Sequence, residues 1–181
     1  MSLNITCAAA KPSDLLGDHL LAIPVGTGGK LPLWARELPY DLRVGSEKAV
    51  NSPAFTGKAG VTLVVPSGNG TAILLGLGSG TPSAETLRRA YGSLVTAARR
   101  DKFSKVAAPL VAGRDDAQIA EAATIGASLA NYRFDLYRSD TTRDKIPPTV
   151  TALTFFEPDA GRRKAAAKGI ESGATIAEAV T

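Results

Sequence analysis

Residues 58–100 read KAGVTLVVPSGNGTAILLGLGSGTPSAETLRRAYGSLVTAARR. Lys58 to Val65 is rich in β-branched and apolar residues, and Thr71 to Leu77 is apolar almost throughout. Such runs are of strand length, and the second matches a strand covered on both faces. Between them lies Pro66-Ser67-Gly68-Asn69-Gly70, a turn-forming stretch suited to a hairpin. Ser83 then offers an N-cap to a helix reaching Arg100, with Leu87, Ala90, Leu94, Ala97 and Ala98 on one face. A hairpin followed by a strand-to-helix connection predicts an α/β layered domain with a mixed central sheet.

The flanks extend this pattern. Downstream, Lys105–Val111 reads as a strand, and Asp115 or Asp116 caps a helix running to about Ala130. Tyr132–Tyr137 reads as extended or turn-like, and Pro148–Phe156 as another strand. From Asp159 the chain reads as helix to its end. Ala166, Ile170, Ala174, Ala177 and Val180 form its apolar stripe, and no stop signal follows. The expectation is an excised domain whose last helix leads into something larger. Upstream, Leu3–Cys7 and His19–Val25 read as strands, separated by the break Pro12-Ser13-Asp14 and followed by Gly26-Thr27-Gly28-Gly29. Leu31–Leu38 reads as a short helix with Pro32 in its first turn. The next twenty or so residues show weak periodicity and are expected to be irregular.

Composition excludes several chemistries. The chain has 181 residues, 44% hydrophobic and 21% charged, which is ordinary globular usage. A single cysteine, Cys7, excludes an internal disulfide framework and a cysteine-based zinc site. A single histidine, His19, excludes multi-histidine metal centres. No run approaches the ~18 apolar residues of a membrane span, and the first residues lack a signal peptide's basic start. A soluble, cytoplasmic protein with no membrane partner is expected. The net charge of +4 is too mild to diagnose nucleic-acid binding. Arg88-Arg89, Arg99-Arg100 and Arg162-Arg163-Lys164 lie in helical segments and read first as solvated faces.

Candidate chemistry is sparse. Lys30 and Lys58 each follow glycine, but neither has the upstream glycine or the downstream Ser/Thr of a nucleoside-triphosphate loop. Gly76-Leu77-Gly78-Ser79-Gly80 connects a strand to a helix, so backbone N–H groups at Gly76, Gly78, Ser79 and Gly80 form a candidate phosphate loop. The spacing lacks the third glycine of the dinucleotide fingerprint, and a tight strand-to-helix connection is the plainer reading. Asp115-Asp116 reads as helix capping, His19 as structural and Cys7 as an inert thiol. Trp34 and Tyr91 read as core residues rather than a stacking platform for bases. No catalytic constellation emerges from these residues.

Several segments, in order, resemble the N-terminal domain of the leucyl (cytosol) aminopeptidase family. Phe55-Thr56-Gly57-Lys58-Ala59-Gly60 is similar to the family's F-x-G-K-x-G entry to a strand. Ile73-Leu74-Leu75-Gly76-Leu77-Gly78 is similar to its apolar run ending in G-L-G, and Leu87-Arg88-Arg89-Ala90 to the L-R-x-A helix that follows. Gly126 through Ser139 resembles the stretch E-G-x-x-L-x-x-Y-x-F-D-x-Y-K-S, with Ile125 in place of the Glu and Arg138 in place of the Lys.

The resemblance implies a macro-domain-like three-layer α/β sandwich over residues 1–157. It also implies a linker helix, 158–181, toward a C-terminal catalytic domain that is absent here. In the family that second domain holds two divalent metals, zinc or manganese, through Asp, Glu and Lys side chains. None of those signatures occurs here, so no catalytic, cofactor-binding or metal residue is carried onto this chain. The implied partners are the catalytic domain and sister subunits of a homo-hexamer, with peptide substrates reached only through the missing domain. The implied role is assembly and shielding. Two other functions stay open: a macro-domain-type ADP-ribose or nucleotide binder using Gly76–Gly80, and a DNA-binding module using Arg88, Arg89, Arg99, Arg100 and Arg162–Lys164.

Overall fold

The computed structural model describes residues 3–132 and 148–181. The expected extended segment beyond Tyr132, and the part of the family stretch from Arg133 to Ser139, lie outside the described residues. Six strands form one sheet in the order β1-β6-β5-β2-β4-β3. They are β1 (Asn4–Ala8), β2 (Leu20–Val25), β3 (Thr62–Ser67), β4 (Gly70–Gly76), β5 (Lys105–Pro109) and β6 (Ala152–Phe156). All neighbours are parallel except β3 and β4, which pair antiparallel from Thr62↔Leu75 to Ser67↔Gly70. The mixed α/β sandwich expected from the hairpin is therefore the observed fold. Burial grades across the sheet as the apolar runs require: β2 and β4 are buried on both faces, while the edge strands β1 and β3 are only half-buried.

Helices cover both faces. On one face lie α3 (Ala84–Arg100), α4 (Asp116–Asn131) and α5 (Ala160–Val180), whose apolar residues join Ile73, Val106 and Phe155 in the larger core. On the other lie α1 (Pro12–Leu15), a 3-10 turn (Leu33–Glu37) and α2 (Tyr40–Val50), packed over Leu21, Ile23 and Leu74. Ser83 accepts a hydrogen bond from the Thr86 N–H, and Asp115 accepts from Ala117 and Gln118, so both expected caps form.

Glycine sets the spacing of the three-helix layer. An added Cβ at Gly126 would lie 2.1 Å from the Arg88 carbonyl oxygen on α3, and one at Gly169 would lie 2.0 Å from that of Ala117 on α4. These helices meet backbone to backbone. The buried stripe of α5 is consequently Ala166, Gly169, Gly173 and Ala177, while Ile170 and Ala174 are half-buried and Val180 is exposed. The apolar stripe predicted from sequence is thus rotated toward the small residues, because a close helix contact selects for absent side chains rather than large ones.

Three further expectations change. The stretch after Leu38 holds α2, whose interior face buries only Leu42 and Ser46, too few residues to show a period. The helix expected over Leu31–Leu38 is a 3-10 turn with Pro32 at its N-cap. Strands β2, β5 and β6 are shorter than their apolar runs: His19 precedes β2, Val111 follows β5, and Pro148–Thr151 precede β6. Pro148–Thr151 are instead anchored by buried Asn131, whose side chain donates to the Val150 carbonyl and accepts from its N–H, both at 2.8 Å.

Candidate functional site

The sheet opens at the carboxyl ends of its two central strands. Strand β2 pairs with β4 over five positions, Leu21↔Ala72 to Val25↔Gly76, but with β5 over only two, Leu20↔Val106 and Leu21↔Ala107. Continued, that register would set Ile23 opposite Pro109 and Pro24 opposite Leu110. A proline has no N–H to donate to a ladder, and in a central strand it is out of place. Leu110 donates its own N–H to Phe156 on the far side, and Leu77 donates to Val25. The connections then diverge. The chain leaving β2 passes to the α2 face, and the chain leaving β5 passes to the α4 face. In open α/β sheets this reversal is where ligand crevices form.

A cleft of about 640 Å³ occupies that position. Pro24, Leu77, Pro109 and Phe156 contribute its strand-end walls, with Trp34 and Arg162 also among its lining residues. Trp34 reaches it from the 3-10 turn and meets Phe156 edge to face, with ring centroids 5.2 Å apart and planes at 83°. Sequence reasoning assigned Trp34 to the core, but the indole is half-buried at the wall of the cleft. The readable signal was a proline inside each of two apolar runs, HLLAIPV and KVAAPLV.

Two of the charged residues lining the cleft, Arg162 and Glu157, are already paired. Arg162 pairs with Glu157 through one guanidinium nitrogen and with Asp116 through two others, at 3.0 and 3.1 Å. It also donates to the Val111 carbonyl at 3.3 Å. Glu157 is buried, and its other carboxylate oxygen accepts from the Asp159 N–H at 3.0 Å. These partners bind the start of α5 to the start of α4 and the end of β6. Arg162 is thus an internal tie rather than part of a solvated face, and the hydrogen bond from its guanidinium to Asp116 raises its own pKa further. Sequence reasoning missed the network because Asp116 lies 46 residues before Arg162 in the chain.

The candidate phosphate loop does a different job with its first three N–H groups. Gly76 donates to Val61, Leu77 to Val25 and Gly78 to Gly57, while the Gly78 carbonyl accepts from Thr27. An added Cβ at Gly76 would lie 2.1 Å from the Lys58 carbonyl oxygen, and Gly57, at φ +69°, would meet the Gly26 carbonyl at 2.5 Å. The glycines of Gly26–Gly29, Gly57–Gly60 and Gly76–Gly78 are therefore knitted to one another. Ser79 and Gly80 lie just beyond this seam.

The other candidates scatter. Arg88, Arg89 and Arg100 line a shallow groove on α3, Arg99 donates to the carbonyls of Ala130 and Pro148, and Arg163 donates to that of Glu157. Of the arginines in the DNA reading, Arg88, Arg89 and Arg100 thus share one groove, while Arg99, Arg162 and Arg163 are engaged with carbonyl or carboxylate partners. Asp115 caps α4, as expected, and Asp116 meets Arg162. His19 sits just before β2, with its Nδ1 buried and unpartnered among the described residues. The Cys7 thiol is half-buried on β1, and its pKa is raised first by burial and then by the Glu157 charge. Tyr91 is fully buried and donates to the Pro109 carbonyl at 3.3 Å; burial holds its phenol well above the ordinary range.

Among the described residues, no three His, Cys, Asp or Glu side chains gather where an ion could sit. Asp116 and Glu157, two acidic groups close to the cleft, already share a guanidinium. Among the described residues this donor set does not fit a two-metal centre.

Known proteins resemble the chain in both sequence and fold. The cytosol aminopeptidase family's N-terminal domain matches residues 22–141. The probable cytosol aminopeptidase of Acidobacterium capsulatum is 34% identical over 156 residues, covering 82% of this chain and 30% of that protein. That of Syntrophotalea carbinolica is 30% identical over 153 residues, 80% of this chain and 31% of its own length. The chain therefore spans about 30% of the length of these relatives. A mutant of tomato leucine aminopeptidase shares the fold with a TM-score of 0.78 at 19% identity, over 98% of this chain and 36% of the tomato chain. Sequence match and sheet topology converge on one assignment: the chain belongs to the cytosol aminopeptidase family, as its N-terminal domain.

Proposed function

We propose that this chain is the non-catalytic N-terminal module of a metal-dependent leucyl aminopeptidase. Residues 1–157 supply the sheet and most helices of the macro-domain-like sandwich, and 158–181 form the helix that completes one layer and leads toward the catalytic domain. The whole enzyme releases N-terminal amino acids from peptides in the cytoplasm. Two divalent metals, zinc or manganese, supply Lewis-acid polarisation of the peptide carbonyl and activation of water. They are held by the second domain. The module shields the catalytic domains and aids their assembly into a homo-hexamer.

The observation that carries this reading is the family match to an N-terminal domain by a chain spanning about 30% of its relatives. The close seating of α5 on α4 through Gly169 and Gly173 supports it, because a helix held backbone to backbone transmits orientation rigidly. The test is a peptidase assay of the 181-residue chain on leucine p-nitroanilide, with and without manganese. The expected result is no turnover in either condition. Metal-dependent hydrolysis by the purified chain overturns the reading.

A further inference from the structure

We propose that the cleft between the carboxyl ends of β2 and β5 is a binding site for a small molecule presenting an uncharged aromatic or heteroaromatic ring. The proposal is independent of the aminopeptidase reading. It begins with two violations of sheet chemistry. Pro24 and Pro109 sit in the two central strands, and the ladder between those strands stops after Leu21↔Ala107. Sequences that break a local rule in this way usually do so for function. Here the consequence is a cavity at the topological switch point. Its volume of about 640 Å³ lies within the ~300–1,000 Å³ typical of small-molecule sites.

The lining selects the chemistry. Pro12, Pro24, Pro32, Pro109 and Pro158 all face the cleft. Proline walls have fixed backbone dihedrals and carry no N–H, so the site is preformed and poor in donors. Their flat rings and the Trp34 indole, braced against Phe156, offer packing surfaces for another ring. Among the described residues, the charged side chains in the interior of the cleft, Arg162 and Glu157, are already paired. Arg162 is spent on Asp116, Glu157 and backbone carbonyls, and Glu157 on Arg162 and the Asp159 N–H. At the rim, exposed Lys11 and Glu37 carry opposite signs. A desolvated charge without a partner is costly, so the buried part of the ligand is neutral.

The test uses nitrogen-15 NMR of the 181-residue chain, titrated with indole, adenosine and, as a non-aromatic control, cyclohexanol. Trp34 is the only tryptophan, so its indole N–H gives a single assignable signal. Indole and adenosine are expected to shift that signal together with the amides of Leu77, Leu110 and Glu157, saturably, while cyclohexanol leaves them in place. Trp34→Leu is expected to weaken both aromatic probes about 2- to 10-fold. Pro24→Val and Pro109→Val restore N–H groups that let the strands close; they are expected to abolish binding without lowering Tm. Three results overturn the proposal: a well-dispersed spectrum that neither aromatic probe perturbs up to its solubility, perturbation confined to another surface, or cyclohexanol shifting the same amides as strongly as indole. A positive peptidase assay would leave these outcomes unchanged, and a silent titration would leave the family reading unchanged.

Discussion

Alanine at Gly126 is expected to destabilise the chain, although the same change in an open helix would stabilise it. In an exposed helix interior, Gly→Ala gains about 1 kcal/mol from propensity. At Gly126 the new methyl would stand 2.1 Å from the Arg88 carbonyl oxygen and 2.7 Å from the Arg88 carbonyl carbon and Cα. Carbon contacts are most favourable at about 3.5–4.0 Å, so α3 and α4 must part by an ångström or more. Those atoms are backbone, and no rotamer change relieves them. Overpacking costs about 1–3 kcal/mol, and a backbone clash belongs at the upper end, leaving about 2 kcal/mol of net destabilisation. For a chain of this size that lowers Tm by about 4–8 °C. Gly92 supplies the control from the opposite side of the same interface: its added Cβ would lie 3.4 Å from the Gly126 carbonyl oxygen, an ordinary contact. Gly92→Ala is therefore expected to be neutral or to stabilise by up to about 1 kcal/mol. Thermal and urea unfolding of both variants measures the difference. If Gly126→Ala unfolds at or above the wild-type midpoint, the helices are not held at backbone contact.

Three other outcomes are expected. Asn131→Leu leaves the buried N–H and carbonyl of Val150 without their 2.8 Å partners and costs about 2–4 kcal/mol, read as a drop in the urea midpoint at constant m-value. Arg162→Met strands buried Glu157 and costs about 2–4 kcal/mol, whereas adding Glu157→Gln to it restores much of the loss in a double-mutant cycle. Cys7 alkylation by iodoacetamide near pH 8 is slower in the folded chain than in urea, because burial and Glu157 raise the thiol pKa. By linkage, the stability tied to that thiol is complete below its unfolded value and is lost as pH rises through its raised folded value, so equal alkylation rates would refute the assignment.

Elements with strong local signals were legible in sequence, and those built by tertiary contact were not. Helix α3 could be read from cap to end because Ser83, a run of apolar residues at helical spacing and a basic last turn agree. Helix α2 escaped because Pro39 at its N-cap offers no side-chain cap and only two of its residues are buried. In α5 the period was visible but the face was misjudged. Hydrophobicity marks what fills space, and Gly169 and Gly173 matter because they leave it empty.

Glycine and proline are where sequence reading of the site succeeded and failed for one reason. A glycine-rich strand-to-helix turn reports that something approaches the backbone closely, without reporting what. At Gly76 and Gly57 the approaching group is the chain itself, through the carbonyls of Lys58 and Gly26, so the phosphate reading and the packing reading share one signal. A proline in a central strand likewise reports a ladder that stops. Pro24 and Pro109 were visible inside their apolar runs, but the cleft exists only because β2 and β5 are neighbours, strands separated in the chain by β3, β4 and α3. The motif glycines Gly57, Gly76 and Gly78 therefore secure the backbone seam beside the cleft, while the residues that open it are single departures from strand chemistry. Variation at the motif glycines should accordingly register in stability, and variation at the two prolines in what the cleft admits.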